Sequence, residues 1–395
     1  MNNSNTLFVK IMSFVVSAGI LFHDIRCAKT FGWMLVGLIL SRKPHFSHWL
    51  IYRPEDTQAA SKERQFSRWI HNKKIEPTSI YQRLCQMILS QWEGKTLEIA
   101  LDTSLLWNKF VMVRVSLIYY GRAIPLCTKI FDGSSATIAI DKYQPLLEQV
   151  ATWLPPSCRV ILLCDRGFGN IQLLQLARDL GWGFRVRLKT SYWVYTAKHQ
   201  GRLISQLVPP VGCAYAYNSV WLWEKKFGLV NLLVARIVNS KGELETWAIV
   251  SDEPVGMQTL DEYGLRFCIE ENFLDDKSAG FNLEDSKLDN AEALERLCVV
   301  IATATVYLVS TGQAVIEQGL QKTVDTHWYR GLSILQIGWR WCLRAVATGS
   351  WLLNFFWIPP DAYPEIVMAS WKQFRKQPYE IKHLTYFDEF VPINT

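Results

Sequence analysis

Two apolar runs that close on aspartate constrain this chain more than any other feature. Residues 97–102 read LEIALD and residues 158–165 read CRVILLCD. The second is apolar on both alternating faces, as suits a central strand buried from two sides. Around them lie KFVMVRVSLIYY (109–120) and AIPLCTKIF (123–131), rich in β-branched and aromatic residues, with Gly121-Arg122 fitting a tight hairpin between them. DKYQPLLEQVATWL (141–154) and IQLLQLARDLG (171–181) have helical spacing, the latter stopped by Gly181, and GFRVRLK (183–189) returns to a strand pattern. Three strands, a helix, a strand, a helix and a strand predict an α/β fold: a mixed sheet with flanking helices.

The remaining segments divide around that core. Residues 1–95 read as a helical region, including SKERQFSRWIHNKKI at 61–75, closed by Pro77, and IYQRLCQMILSQW at 80–92. Residues 96–189 form the first part of the core. Residues 190–246 read as a mostly β insertion, with strand-like YWVYTA, VWLWEKKF and NLLVARIVN and a turn at 239–242. The core resumes at WAIVSD (247–252) and continues through a long helix near 255–275 to residue 325, followed by a helical region at 326–395. The tail carries a second basic-aromatic cluster, SWKQFRKQP, at 370–378.

Composition narrows the class. With 49% hydrophobic and 20% charged residues in 395, the chain can bury large cores and is not of a disordered type. The formal net charge of +6 permits a polyanionic partner without demanding one. Nine scattered cysteines, with no CxxC pair, argue against a disulfide framework or structural zinc and for buried thiols in a reducing cytosol. The apolar runs at 11–22, 33–40, 298–309 and 351–358 are too short for a bilayer or lack a clean cleavage site, and read as buried helices of a cytoplasmic protein.

The chemistry lies in separated acids. Asp102 and Asp165 each close an apolar strand, and in open sheets ligand sites form beyond the carboxyl ends of strands. In the helix near 255–275, Tyr263, Arg266, Glu270 and Lys277 stand at offsets 0, 3, 7 and 14, within roughly 60° of one another on a continuous helix. Two aspartates and a glutamate make a hard oxygen cage suited to Mg²⁺ or Mn²⁺ rather than zinc. Asp132 and Asp252 read as turn residues, and Glu271 points about 100° away from Glu270. On 61–75, Lys62, Arg64 and Arg68 surround apolar residues and are candidates for phosphate contact.

These residues carry a resemblance. YGLRFCIEENFLDDK, from Tyr263 to Lys277, is similar to the Tyr-x2-Arg-x3-Glu-x6-Lys signature of a branch of the DDE transposases of bacterial insertion sequences. SAGFNLEDSKL after it, ALDTS around Asp102, CDRGFGN around Asp165 and WAIVSDEPV also resemble that family, over about residues 95–345. The resemblance implies a ribonuclease-H-like core, whose right-handed crossovers place the strand ending at Asp165 parallel to and beside the one ending near Asp102. It further implies two Mg²⁺ or Mn²⁺ ions held by Asp102, Asp165 and Glu270 and cleavage at element ends followed by strand transfer into target DNA. The implied route is cut-and-paste through a hairpin, carried out by a homodimer in a synaptic complex, with no membrane partner. Tyr263, Arg266 and Lys277 would grip phosphates, and Trp247 matches the position of a base-stacking tryptophan. Relatives often carry Trp after the signature Arg; here Phe267 stands there. A repurposed DNA-binding protein without catalysis, and a metal-dependent nuclease without strand transfer, are the alternatives.

Overall fold

The computed structural model describes residues 3–20, 22–196, 200–238, 242–327, 331–361 and 380–384. The helices are α1 (Asn3–Ser17), α2 (Ile25–Ser41), α3 (Phe46–Trp49), α4 (Ala59–Ile70), α5 (Pro77–Ile88), α6 (Ile140–Trp153), α7 (Ile171–Asp179), α8 (Met257–Gly264), α9 (Phe267–Leu274), α10 (Ala291–Glu317) and α11 (Ile334–Thr348). The strands are β1 (Thr96–Leu106), β2 (Phe110–Tyr119), β3 (Arg122–Asp132), β4 (Arg159–Cys164), β5 (Gly183–Arg187), β6 (Trp193–Tyr195), β7 (Gly201–Leu203), β8 (Cys213–Leu222), β9 (Phe227–Val238), β10 (Leu244–Ser251) and β11 (Glu380–Leu384). The class is mixed α/β, as the sequence predicts.

The chain divides into two compact units that interleave along the sequence. Unit 1 holds Met1–Lys95, Thr103–Cys158 and Cys268–Ile366; unit 2 holds Thr96–Asp102, Arg159–Phe267 and Val367–Thr395. Within unit 1, β2 and β3 pair antiparallel through a turn at Tyr120-Gly121, both at positive φ, the geometry a two-residue hairpin prefers. The centre of this unit is α10, buried along nearly its whole length. Its most apolar 18 residues have a mean hydropathy of 1.7, and among the described residues it alone has the length and hydropathy to cross a bilayer; all of that window is enclosed. α11 lies against it with exceptional closeness. A Cβ on Gly338 would fall 1.9 Å from the Leu308 carbonyl oxygen, and one on Gly312 would fall 2.1 Å from that of Ile334, so only glycine lets these backbones meet.

Within unit 2, Thr96–Leu101 of β1 pairs in parallel with β4, and β4 in parallel with β5. β10 then pairs antiparallel with β5 on one side and with β9 on the other. β8, β6 and β7 extend the sheet beyond β9, and β11 pairs in parallel with β8. The expected adjacency of the strands leading to Asp102 and Asp165 is therefore present. The β segments at 190–246 do not stand apart, because β10 begins at Leu244 and hydrogen-bonds on both edges. The boundary expected at 246–247 falls inside this strand.

Three local expectations need correction. The helix expected over 255–275 is broken: α8 ends at Gly264, α9 starts at Phe267, and Asp275–Ala279 is a π-helical turn. Pro77 opens α5 at its first helical position, where a missing N–H costs nothing, instead of closing α4. Residues 351–358 are not helical. The basic-aromatic cluster at 370–378 and residues 239–241 of the expected turn lie outside the described residues. All nine cysteines are free, and six of them are buried.

Candidate active site

The site begins with the β1–β4 ladder. Its last pair is Leu101↔Cys164, so Asp102 and Asp165 follow side by side, one residue on, where parallel strands lie about 4.8 Å apart. Residues at matching positions of neighbouring strands emerge on the same face. Asp165 stands just past the end of β4, as expected. Asp102, however, is inside β1, which runs on to Leu106; it is only the pairing with β4 that stops before it.

Local sequence holds both carboxylates. The Gly167 N–H donates to Asp165 Oδ1 at 2.8 Å, and a Cβ on Gly167 would lie 3.0 Å from that oxygen. The Asp-Arg-Gly-Phe turn thus orients Asp165 through a backbone donor. Asp102 is 9% exposed and receives Arg266 Nη1 on Oδ2 at 3.0 Å. The Cys164 thiol lies between the strands. Burial raises its pKa, and the charges of Asp165 and then Asp102 raise it further, so it stays protonated and inert as a nucleophile. Two neighbouring carboxylates, one of them paired with a guanidinium, make a hard oxygen donor set.

Behind the acids sits an aromatic wall. Tyr263 is fully buried and meets Trp247 edge-on, with centroids 5.0 Å apart. Trp247 stacks on Phe267 at 5.7 Å and donates its indole N–H to Glu245 Oε2 at 3.2 Å. Arg266 lies over the Phe267 ring, 4.6 Å from its centroid. Burial raises the Tyr263 pKa, opposed by the charges of Arg266 and Arg187 and reinforced by Asp165. Trp247, Tyr263, Leu260, Val255 and the inner faces of β8–β10 form one apolar core. Trp247 and Tyr263 were expected to touch DNA. The structure instead makes them interior packing, 2% and 0% exposed, and their role toward the acids is support.

Several of the other expected residues belong to unit 1. Within unit 2 the structure groups Asp102, Asp165, Tyr263 and Arg266. Arg266, expected to grip phosphate, is engaged by Asp102. Glu270 belongs to unit 1, where it is exposed on α9. Lys277, also in unit 1 and expected to grip phosphate, donates to the Leu105 carbonyl at 2.7 Å and pairs with Glu284 at 3.3 Å, anchoring the end of β1. Glu271 pairs with Arg122 at 3.2 Å. Asp252 accepts the Phe184 N–H at 3.0 Å in a turn, as expected. On α4, Arg64 and Arg68 are exposed, but Lys62 is buried and donates to the Arg53 carbonyl at 2.8 Å; the helix rotates it inward, away from any phosphate.

Sequence reasoning missed the arginines of β5. Arg187 pairs with Glu245 at 2.7 Å, and Arg185 pairs with Glu262 at 2.6 Å and Glu253 at 2.5 Å. The signal was present in GFRVRLK, where two arginines two residues apart on a buried strand must both find acids on one face.

Do these residues fit a divalent ion? Adjacent carboxylates without a thiolate or imidazole among their partners are hard oxygen donors, and that chemistry fits Mg²⁺ or Mn²⁺. Among the described residues, no group of three or more His, Cys, Asp or Glu side chains is arranged to hold a metal. The sequence matches no known family profile and no curated protein. Among solved structures, the chain is similar to the piggyBac transposase in a cryo-EM structure of its synaptic complex with hairpin DNA. The TM-score is 0.43 at 12% identity, over 88% of this chain and 81% of that one. At that score the likeness carries no assignment, and any functional reading rests on the residues themselves.

Proposed function

We propose that this chain is a DDE transposase, which cleaves DNA at the ends of an insertion sequence and joins the freed 3′-hydroxyls to target DNA. The observation that carries the reading is the side-by-side placement of Asp102 and Asp165 beside β4's end, with Arg266 at 3.0 Å from Asp102, in a chain with the Tyr-x2-Arg-x3-Glu-x6-Lys spacing. In this reading the core is ribonuclease-H-like, and Asp102, Asp165 and Glu270 hold two Mg²⁺ or Mn²⁺ ions. Such ions, when bound, lower the pKa of the attacking water or 3′-hydroxyl and offset charge on the leaving oxygen.

The chain's own residues supply position. Strand backbone fixes Asp102 and the turn after β4 fixes Asp165, so their oxygens need little reorganisation when the scissile phosphate arrives. Arg266 balances Asp102 before DNA binds, and its planar fork then suits two non-bridging phosphate oxygens. Phe267, itself stacked on Trp247, lies under that guanidinium. The cut-and-paste route through a hairpin is part of the proposal, with a base-holding ring other than the enclosed Trp247. Synapsis of two ends calls for two copies of the chain.

The test is cleavage of labelled duplexes bearing the element's terminal inverted repeats, in Mg²⁺, and joining of a pre-cut end. Asp102→Ala, Asp165→Ala and Glu270→Ala should each abolish cleavage while duplex binding persists. Undiminished nicking by any one of them overturns the assignment. Cleavage without joining of the pre-cut end reduces the chain to a nuclease.

A further inference from the structure

We propose that the surface made by β6 and the end of β8 is a stacking platform for single-stranded DNA. The strand register puts the rings together. Tyr195 of β6 lies opposite Gly201 of β7 on one side and Trp221 of β8 on the other. Partners across a ladder share a face, and Trp193, two residues before Tyr195, shares it too. The Trp193 and Tyr195 rings are nearly parallel, 23° apart with centroids at 6.2 Å.

Two glycines let these rings lie down. A Cβ on Gly201 would come within 2.7 Å of Tyr195 Cε1 and 3.4 Å of Trp193 Cε3, and one on Gly228 within 2.6 Å of Trp221 Cε3. With no side chain there, each ring rests on the sheet backbone and turns its other face outward. Trp193 is 41% exposed, against 2% for Trp247 in the core of the same unit. Tyr195 and Trp221 are half-buried. Arg178 holds the start of β9 beneath them, donating to the Gly228 and Leu229 carbonyls at 3.1 and 2.7 Å.

Charge selects the occupant. Among the described residues of 189–203 and 221–229, Lys189, Lys225 and Lys226 are exposed against a single acid, Glu224, while Arg202, opposite Val194 in the ladder, lies on the other face of the sheet. Lys226 Nζ stands 6.0 Å from the Tyr195 ring centroid. Flat rings with a lysine beside them, on a segment rich in exposed lysines, suit a ligand that alternates π-faces with phosphates. A duplex hides its base faces, so an unpaired strand is the form that can use them. A neutral sugar or a second copy of the chain would use the rings and leave the cations idle. The choice of DNA among unpaired polynucleotides rests on the function proposed above; the platform itself does not.

The experiment is fluorescence anisotropy with the full chain, a labelled (dT)12 and a 12-base-pair duplex without element ends. Trp193→Ala should weaken (dT)12 binding by about 10-fold or more, with duplex affinity within about twofold of wild type and Trp193→Phe retaining most of the single-strand affinity. Tyr195→Ala should act in the same direction. The proposal is overturned if both alanine variants bind (dT)12 as the wild type does, or if the wild type binds duplex and no single strand. It is overturned as well if Trp193→Ala lowers both affinities equally, or if sedimentation shows that it dissociates an oligomer. Single-strand binding through Trp193 in a chain that cleaves no element end sinks the transposase reading alone.

Discussion

Two arginine–aspartate pairs in this molecule share their chemistry and differ in their surroundings. Arg114 and Asp276, in unit 1, meet at 2.6 Å with neither side chain exposed. Arg114 also donates to Asn272 Oδ1 at 2.6 Å and Thr128 Oγ1 at 3.0 Å, which spends its fork inside the protein. Burial raises the Asp276 pKa, and Arg114 beside it opposes that rise. Arg266 and Asp102, in unit 2, meet at 3.0 Å with 5% and 12% of their side chains exposed, next to a second carboxylate. The first pair can only hold the fold together. In the reading proposed above, the second exchanges partners when a cation or a phosphate arrives. Burial alone would have classed both as structural; the neighbouring Asp165 separates them.

The largest effect that probes this contrast is on stability. Asp276→Leu should cost about 3–5 kcal/mol, because it strands a buried guanidinium, and adding Arg114→Met should recover most of that loss. Urea unfolding of the single and double variants checks it; a harmless Asp276→Leu would dissolve the distinction. Arg266→Gln should cost less, about 1–2 kcal/mol, and should tighten Mn²⁺ binding measured by calorimetry, since it removes a competing positive charge. Unchanged Mn²⁺ affinity would make this pair structural too.

Next in size is a pH effect beside the sealed pair. Burial pushes Asp275 up to about 6, against the opposing charge of Arg122. A carboxyl group raised in the folded state binds its proton more readily there. Its contribution to stability is full below the ordinary value of 3.8 and is lost as pH rises through about 6. Asp275→Asn should flatten the stability curve between these values, and an unaltered slope would reject the assignment. The smallest effect concerns α4. Arg64→Ala with Arg68→Ala should lower the salt slope of duplex binding by about 2, while Lys62→Ala should leave the slope alone and cost about 1 kcal/mol of stability.

Much of this was legible in the sequence, for identifiable reasons. The runs leading to Asp102 and Asp165 are long, apolar and bounded, so their strand character follows from pattern, while their parallel adjacency was implied by the family resemblance. The segment from Tyr263 to Lys277 was misread as one helix because its apolar spacing is continuous. The break at Leu265-Arg266 follows Gly264, a weak stop signal within a helical pattern, and is reinforced by tertiary partners: Asp102 takes Arg266, while Arg114 and Arg122 draw Asp276 and Asp275 inward. The inward turn of Lys62 was hidden for a related reason. Its partner is a backbone carbonyl, which no side-chain pattern announces.

Among the described residues, the chain passes between its two compact units at 95–96, 102–103, 158–159 and 267–268. Neither unit is a continuous stretch of sequence, so neither can be excised, swapped or inherited as a cassette. During synthesis, the sheet that carries Asp102 and Asp165 cannot be completed until β11, Glu380–Leu384, has left the ribosome, which makes late closure the expected habit of this protein.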